Sequence, residues 1–326
     1  MTMPRVMYWS QAPESVYAVL RECAQGISEV DTLATGDAEE RRRLLHGADV
    51  LIVAAHRFTE EDLTGAPRLR LLHHQGVGYQ DTTPVAALAK RGIRMALTPE
   101  GTTTGVAEHT VMLMLAVCKR LAHVDAELRR GRWHINTYRS ESREIAGMVV
   151  GYIGFGRIGQ AVAHRLAAFG ARAVFFDPGI TADSVPVADG VARALSLHEL
   201  LATADIVTLH LPYSAAAHHV IDAAAIARMK RGAIVINASR GGLIDEGALH
   251  DALVHGHLAG AGLDCFQQEP APSDHPLFNL HNVVVTPHTA AASVDALRNK
   301  MHALFANIGR WQRDEPLHNE VRLPHA

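Results

Sequence analysis

The chain has 326 residues, 48% of them hydrophobic and 20% charged, which suits about two globular domains and is too apolar for a disordered protein. With 31 Lys and Arg residues against 34 Asp and Glu residues, the net charge is −3, and no basic block offers a surface for nucleic acid or anionic membranes. No segment has the apolar length of a membrane span or the pattern of a signal peptide, so we expect a soluble, cytoplasmic protein without nucleic-acid or membrane partners.

The first hundred residues alternate short apolar runs with helical patterns. Strands are predicted at residues 5–9, 29–33, 50–54, 69–74 and 93–97. Helices are predicted at residues 13–25, 37–46 and 83–90. Because helices separate the strands, we expect a parallel sheet with helices on both faces, in one compact α/β unit.

A long helical pattern, residues 106–130, follows a break at Thr98-Pro99-Glu100-Gly101. Residues 111–117 of this pattern are apolar on nearly every side, so the helix must be buried in a core or against a second subunit. We favour a contact within a homodimer, and an internal helix is the alternative.

The alternation of strands and helices restarts at Met148. Strands are predicted at residues 148–153, 173–176, 206–209, 233–237, 261–263 and 283–286. Helices are predicted at residues 158–168, 222–230, 246–255 and 294–311. Six strands with intervening helices are typical of a doubly wound sheet that binds a dinucleotide.

Gly154, Gly156 and Gly159 form a GxGxxG motif directly after a predicted strand and at the start of a helix. Such glycines allow a tight turn, close approach of the backbone to a pyrophosphate, and tight packing of helix on strand. Asp177 ends the next strand, where a carboxylate binds the adenosine ribose hydroxyls and repels a 2′-phosphate, which favours NAD over NADP. An ordinary glycine turn and an Asp-Pro-Gly turn are the alternatives.

The 21 histidines and three cysteines show no metal-binding spacing. Neighbouring pairs such as His73-His74 and His218-His219 lack the i,i+4 spacing that puts two imidazoles on one helix face. We therefore expect no metal and interpret most of these histidines as surface residues.

Three ionisable residues follow the ends of predicted strands: Arg240, Glu269 and His288. In an open α/β sheet, such positions line the ligand crevice, so these side chains are expected to converge beside the nicotinamide of a bound dinucleotide. Each residue alone would more often be an ordinary loop residue, but their shared position favours a function.

Together with further blocks, these motifs show that the sequence resembles the NAD-dependent D-isomer-specific 2-hydroxyacid dehydrogenases over nearly the whole chain. The matching blocks are residues 151–159, 209–212, 237–246, 262–270 and 286–293. The resemblance implies that Arg240 binds and polarises the substrate, that His288 is the acid/base and that Glu269 orients His288. The implied reaction is a reversible hydride transfer between NAD(H) and C2 of a small 2-hydroxy or 2-oxo acid.

The resemblance also implies binding positions outside this trio. Backbone N–H groups of Val77 and Gly78 would hold the substrate carboxylate, residues 53–58 would contact the substrate, and Asp264 would contact the nicotinamide carboxamide. Further cofactor-lining positions implied are Arg157, Ile158, His210, Ala238 and Ser239. Cys265 stands where valine is common, and we interpret it as a small buried hydrophobic residue.

The fold implied by the resemblance is α/β, with two doubly wound parallel-sheet domains. A Rossmann cofactor domain, residues 99–289, would be inserted into a flavodoxin-like substrate domain formed by residues 1–98 and 290–326, and helix 106–130 would form a homodimer. Some relatives are NAD-sensing corepressors that keep the same three ionisable residues, so a binding protein without significant turnover is the alternative function. The sequence shows neither the disordered tails nor the basic patches expected of such a regulator.

Overall fold

The computed structural model describes residues 3–54, 56–80 and 82–323, which form two compact units. The first unit contains the described residues up to Thr102 together with those from Ala292 onward, and the second contains Thr103–Ala291. The limits expected from the sequence, after residues 98 and 289, lie a few residues before these crossings. Within the described part of the chain, no helix is both long and apolar enough to cross a bilayer.

The first unit contains a five-stranded sheet. Its strands are β1 (Arg5–Tyr8), β2 (Glu29–Asp31), β3 (Val50–Val53), β4 (Leu71–His74) and β5 (Arg94–Leu97). Its helices are α1 (Glu14–Ala24), α2 (Ala38–Gly47), α3 (Glu60–Thr64), α4 (Val85–Lys90) and the C-terminal helix (Val294–Gln312). All neighbouring strands are parallel, and the order β2-β1-β3-β4-β5 is that of flavodoxin-like proteins, as expected.

Apolar side chains cover both faces of this sheet. Every residue of β3 is fully inaccessible, as a central strand between two layers of helices requires. Leu51 and Leu72 pack on one face in a cluster with Phe58. Ile52 packs on the other face in a cluster that includes Leu304 of the C-terminal helix. The C-terminal helix therefore forms part of the core of the first unit.

The second unit contains an eight-stranded sheet. Its helices begin with α5 (Thr102–Cys118), α6 (Leu121–Arg129) and α7 (Ile135–Tyr138). Its strands are β6 (Val149–Ile153), β7 (Arg172–Phe176), β8 (Ser184–Val187), β9 (Gly190–Ala194), β10 (Ile206–Leu209), β11 (Ala233–Asn237), β12 (Leu258–Leu263) and β13 (Val283–Val285). Between the strands lie α8 (Arg157–Ala167), α9 (Leu197–Thr203), α10 (Ala223–Arg228) and α11 (Glu246–Val254).

The strand order of the second sheet is β13-β12-β11-β10-β6-β7-β9-β8. Every neighbouring pair is parallel except β8 with β9 at the edge. From β9 to β12 this is the doubly wound order of dinucleotide-binding proteins, and the direction of winding reverses between β6 and β10. The carboxyl ends of β6 and β10 therefore border the crevice in which such sheets bind their ligand.

The hairpin of β8 and β9 was not predicted from the sequence. Val187 pairs with Gly190 next to the turn, and Ala188 in the turn has a φ of 48°. Only two residues of the hairpin, Val187 and Ala192, are buried, so it lacks the regular apolar alternation by which a strand is recognised.

The prediction of one helix over residues 106–130 was wrong, because the chain forms two helices there. Arg120 adopts a φ of 53°, in the left-handed region, and separates α5 from α6. Leu113 and Met114 of α5 are fully buried, in a cluster with sheet residues such as Ile236. The apolar middle of α5 thus packs inside its own unit, which is the alternative that the sequence left open.

Candidate active site

Three neighbouring strands place the predicted trio at one edge of the second sheet. Arg240 follows β11, Glu269 follows β12 and His288 follows β13, and these strands are consecutive in the sheet. Because the strands are parallel, their carboxyl ends lie at the same edge. The topology therefore explains how residues far apart in the sequence reach one place.

His288 and Glu269 form a hydrogen-bonded pair. Nδ1 of His288 lies 2.7 Å from Oε2 of Glu269, and the other carboxylate oxygen accepts from the backbone N–H of Phe266 at 3.0 Å. The backbone N–H of His288 donates to the carbonyl oxygen of Asp264 at 2.8 Å. His288 has a φ of 54°, a left-handed conformation that is uncommon for residues other than glycine. Such backbone conformations are frequent at functional sites. Both partners of the pair are thus held by backbone contacts.

The pair shifts the two pKa values in opposite directions. The hydrogen bond with Glu269 raises the pKa of His288, against burial and the charge of Arg240, which lower it. Burial acts to raise the pKa of Glu269, but its hydrogen bond with His288 and the charge of Arg240 lower that pKa overall. The arrangement therefore favours a charged imidazole beside a carboxylate.

Arg240 contributes a positive charge beside this pair. Its Nη1 donates to the carbonyl oxygen of Ser239 at 2.9 Å, and its own carbonyl oxygen accepts from Asn237 Nδ2 at 2.9 Å. The next residue, Gly241, lies so close to Phe266 that an added Cβ would come within 1.9 Å of the Phe266 carbonyl carbon. Only glycine allows this approach between the segments that carry Arg240 and Glu269.

Asp264 supports the segment that carries His288. It is fully buried, and its Oδ1 accepts from the Thr286 hydroxyl at 2.6 Å and from the Thr289 N–H at 2.8 Å. Its Oδ2 accepts from the Ala290 N–H at 2.8 Å. Burial acts to raise the pKa of Asp264, but these bonds and the neighbouring His109 lower it overall. The contact of Asp264 with a nicotinamide carboxamide stays a prediction.

His109 was not predicted as part of this region. Its Nε2 lies 2.9 Å from the Thr286 hydroxyl and 3.4 Å from Asp264 Oδ1. His109 lies on α5, far from the 286–290 segment in sequence, and no spacing rule connects the two. Only the tertiary structure reveals that α5 contributes to holding the loop of His288.

The glycine motif forms a cradle at the carboxyl end of β6. Gly154 has a φ of 91°, and an added Cβ would lie 2.7 Å from the carbonyl carbon of His210, so only glycine fits there. Gly156 is the N-cap of α8 and has no side-chain cap, and an added Cβ would meet nothing within 4 Å. Open space thus lies in front of the first turn of α8, where a helix N-terminus binds a pyrophosphate, and the residues present fit a dinucleotide.

Asp177 lies at the end of β7 next to the glycine motif. Its Oδ2 accepts from the Phe155 N–H at 2.7 Å, and its Oδ1 accepts from the Gly179 N–H at 2.8 Å. The first contact ties Asp177 to the glycine motif, and the second is the turn interaction considered as the alternative. Both contacts occur together, so forming the turn does not take Asp177 away from the glycine motif.

The remaining predicted cofactor residues lie at the ends of strands or at the start of α8. Arg157 is exposed and Ile158 is half-buried in the first turn of α8. Burial lowers the pKa of His210, after β10, to about 3, so its imidazole is neutral at pH 7. Ser239 Oγ donates to the Leu211 carbonyl oxygen at 2.6 Å, and Ala238 packs in a small buried cluster after β11.

The predicted substrate-binding residues belong to the first unit. Val77 and Gly78 follow β4, and the Val77 side chain is exposed. The N–H of Thr98 donates to the Gly76 carbonyl oxygen at 3.2 Å, which joins this loop to the end of β5. In the predicted substrate-contacting segment 53–58, Ala55 lies outside the described residues.

Comparisons with known proteins identify the family that the chain resembles. Residues 111–290 match the family model described as D-isomer specific 2-hydroxyacid dehydrogenase, NAD binding domain. The chain is 35% identical over 309 residues to the glyoxylate reductase of Thermofilum pendens, covering 94% of this chain and 90% of that protein. It is 35% identical over 324 residues to the D-3-phosphoglycerate dehydrogenase of Methanocaldococcus jannaschii, covering 99% of this chain but only 60% of that protein. The crystal structure of the TT0316 protein from Thermus thermophilus matches with a TM-score of 0.86 and 34% identity, covering 98% of this chain and 100% of that chain.

Proposed function

Because the chain belongs to the D-isomer-specific 2-hydroxyacid dehydrogenase family, we propose that it transfers a hydride reversibly between NAD(H) and C2 of a small 2-hydroxy or 2-oxo acid. The observation that carries the proposal is the 2.7 Å contact of His288 with Glu269, beside the positive charge of Arg240. An acid/base with a raised pKa and a neighbouring guanidinium are what carbonyl reduction requires.

His288 holds the proton that the reaction moves. Since Nδ1 faces Glu269, the other ring nitrogen, Nε2, is the one that gives a proton to the carbonyl oxygen during reduction and takes it back during oxidation. Glu269 keeps the ring in one orientation and stabilises its charged form. An imidazole suits both directions because its ordinary pKa, about 6.5, lies near neutral pH.

Arg240 binds the substrate through charge and geometry. Its planar guanidinium offers donors to a carboxylate oxygen and to the carbonyl oxygen together, which a lysine could not match. Negative charge develops on the carbonyl oxygen during reduction, so a fixed cation stabilises the transition state more than the ground state. Arg240 therefore contributes both to substrate binding and to the rate of hydride transfer.

The glycine motif and Asp177 hold the cofactor in this proposal. Gly154, Gly156 and Gly159 leave room for the pyrophosphate at the start of α8, and Asp177 accepts from the ribose hydroxyls and disfavours NADP. When bound, NAD(H) supplies or accepts the hydride. We assign residues 99–289 to the cofactor domain and residues 1–98 with 290–326 to the substrate domain, where the backbone N–H groups of Val77 and Gly78 bind the substrate carboxylate.

A panel of 2-oxo acids tests the activity. We expect the purified protein to oxidise NADH with at least one of glyoxylate, hydroxypyruvate and pyruvate, and His288→Ala to lower turnover by about two to four orders of magnitude. Binding of NADH to this variant, followed by fluorescence, should match the wild type. Binding of NADH without turnover across a broad panel would instead favour the NAD-sensing binding protein.

We further propose that the chain forms a homodimer through the region of α6 and α7. Four apolar side chains there are more than half exposed in the single chain: Leu121, Leu128, Trp133 and Ile135. Such a group of exposed apolar side chains is uncommon on a monomer. Sedimentation should give twice the chain mass for the wild type and a lighter species for Trp133→Asp. A wild-type monomer at micromolar concentration would refute the dimer. The cytoplasmic location stays a prediction.

A further inference from the structure

Cys265 places a thiol beside the pair formed by His288 and Glu269. Its Sγ, one carboxylate oxygen of Glu269 and one ring nitrogen of His288 all lie within 4.8 Å of one another. Cys265 itself is only 2% exposed, whereas the side chains of Glu269 and His288 are 36% and 47% exposed. A thiol, a carboxylate and an imidazole thus lie close together. The sulfur is buried, and the other two side chains are partly exposed to solvent.

These three groups suit a borderline or soft divalent cation. Thiolate, imidazole and carboxylate are the usual ligands of zinc, and thiolates select soft metals. Zinc bonds of about 2.0–2.3 Å place the ligand atoms of a tetrahedral site about 3.5 Å apart. The present arrangement therefore needs to contract by about an ångström, which requires the exposed side chains of Glu269 and His288 to rotate out of their present hydrogen bonds. A solvent water completes four ligands, as in open zinc sites.

We propose that Cys265, Glu269 and His288 form a binding site for one zinc or cadmium ion. On binding, the Cys265 thiol and the charged ring of His288 each release a proton to solvent, because a metal binds a thiolate and a neutral imidazole, and no redox change takes place. The charges of Arg240 and Asp264 both act on the imidazole of His288, so both also act on a cation bound there. The positive charge of Arg240 opposes binding of the cation, and the negative charge of Asp264 favours it. The bound ion takes up a nitrogen of His288 and an oxygen of Glu269. It therefore inhibits hydride transfer, a consequence that rests on the proposed function.

Cobalt(II) tests the site without any assay of activity. Titrating the metal-free protein, in the absence of NAD, should produce a thiolate-to-cobalt charge-transfer band that saturates at one equivalent. Cys265→Val should lose the band, and Cys23→Ser, which removes a partly exposed thiol of the first unit, should keep it. Cys265→Ser, with a side chain of nearly the same size, replaces the valine variant if thermal unfolding shows that the latter is misfolded. A wild type without the band, or a Cys265→Val protein that keeps it, would overturn the proposal.

Zinc inhibition tests the consequence. Zinc should inhibit the reduction of 2-oxo acids by the wild type, and Cys265→Val should keep its turnover while needing at least tenfold more zinc for half inhibition. Equal sensitivity of the two proteins would remove Cys265 from the site. If no 2-oxo acid is turned over, the proposed function fails, and the cobalt band still decides whether the metal site exists.

Discussion

Nδ1 of His288 lies 2.7 Å from Oε2 of Glu269, although 19 residues separate them along the chain. Phe266 holds the other oxygen of the same carboxylate through its backbone N–H, so the oxygen that faces the imidazole has a fixed direction. A carboxylate in this position sets the protonation state of the imidazole, and that state governs the pH dependence of any proton transfer by His288.

Glu269→Gln should move the pH dependence of the reaction to lower pH. The variant removes the charge that raises the pKa of His288, so burial and the charge of Arg240 then dominate and this pKa falls. Reduction needs the protonated ring, so its rate is lost at a lower pH, and oxidation needs the neutral ring, so its acid limb shifts in the same direction. Profiles of kcat/KM against pH in both directions measure the shift. Profiles that coincide with those of the wild type would contradict the pairing.

Arg240→Lys should weaken the use of 2-oxo acids while leaving NADH binding intact. Loss of one charge-assisted hydrogen bond costs about 1.5–3 kcal/mol, or about 10- to 160-fold in kcat/KM. The matched control is Arg231→Lys, an exposed residue before the opposite end of the same strand, β11. Steady-state kinetics with both variants check the prediction, which fails if the two variants behave alike.

Gly156→Asp should weaken NAD binding at least tenfold without lowering stability. Gly156 has a φ of −72°, an added Cβ meets nothing within 4 Å, and aspartate is a favourable N-cap, so α8 tolerates the side chain. The carboxylate would repel a pyrophosphate at the same place. NADH fluorescence and thermal unfolding measure the two effects separately.

Gly154→Ala is the contrasting variant in the same motif. Its φ of 91° and the close backbone of His210 predict a loss of stability of about 1–3 kcal/mol, seen as a lower Tm. Parallel behaviour of the two glycine variants would refute the idea that Gly156 borders the cofactor and Gly154 serves the turn.

Asp177→Asn should lower the preference for NAD over NADP about tenfold or more. The amide oxygen can accept from only one of the two backbone N–H groups, those of Phe155 and Gly179, and the substitution removes the charge that repels a 2′-phosphate. Kinetics with NADH and NADPH measure the ratio, and Asp183→Asn, an exposed carboxylate of the same unit, is the control. If Asp177→Asn did not change the preference for NADH over NADPH, Asp177 would have no role in cofactor choice and would serve only the turn with Gly179.

Much of this fold could be predicted because its strands are short apolar runs bounded by helices. All five strands of the first sheet and six of the second lie where the sequence places them, including β3, whose four residues are all apolar. Short elements were harder. Helix α3 has only five residues, although Thr59 and Asp62 form a capping box that marks its start.

Other features depend on contacts that no local pattern records. Arg120 ends a helix without the glycine or proline that usually signals an end, and its guanidinium pairs with Glu141, 21 residues later. The trio after β11, β12 and β13 could be predicted because parallel strands end at one edge of a sheet. The approach of His109 to Thr286, and of Cys265 to Glu269 and His288, requires the packed structure.

The three side chains proposed to act on the substrate, and every support described for them, come from residues 103–291. The loop of Val77 and Gly78 belongs to the other unit. In the proposed function, a change of substrate can therefore come from residues of the first unit while Arg240, Glu269 and His288 of the second unit stay the same. Selection for a different acid would then change residues before Thr102 or after Ala292, and the proposed acid/base pair of the second unit would be retained.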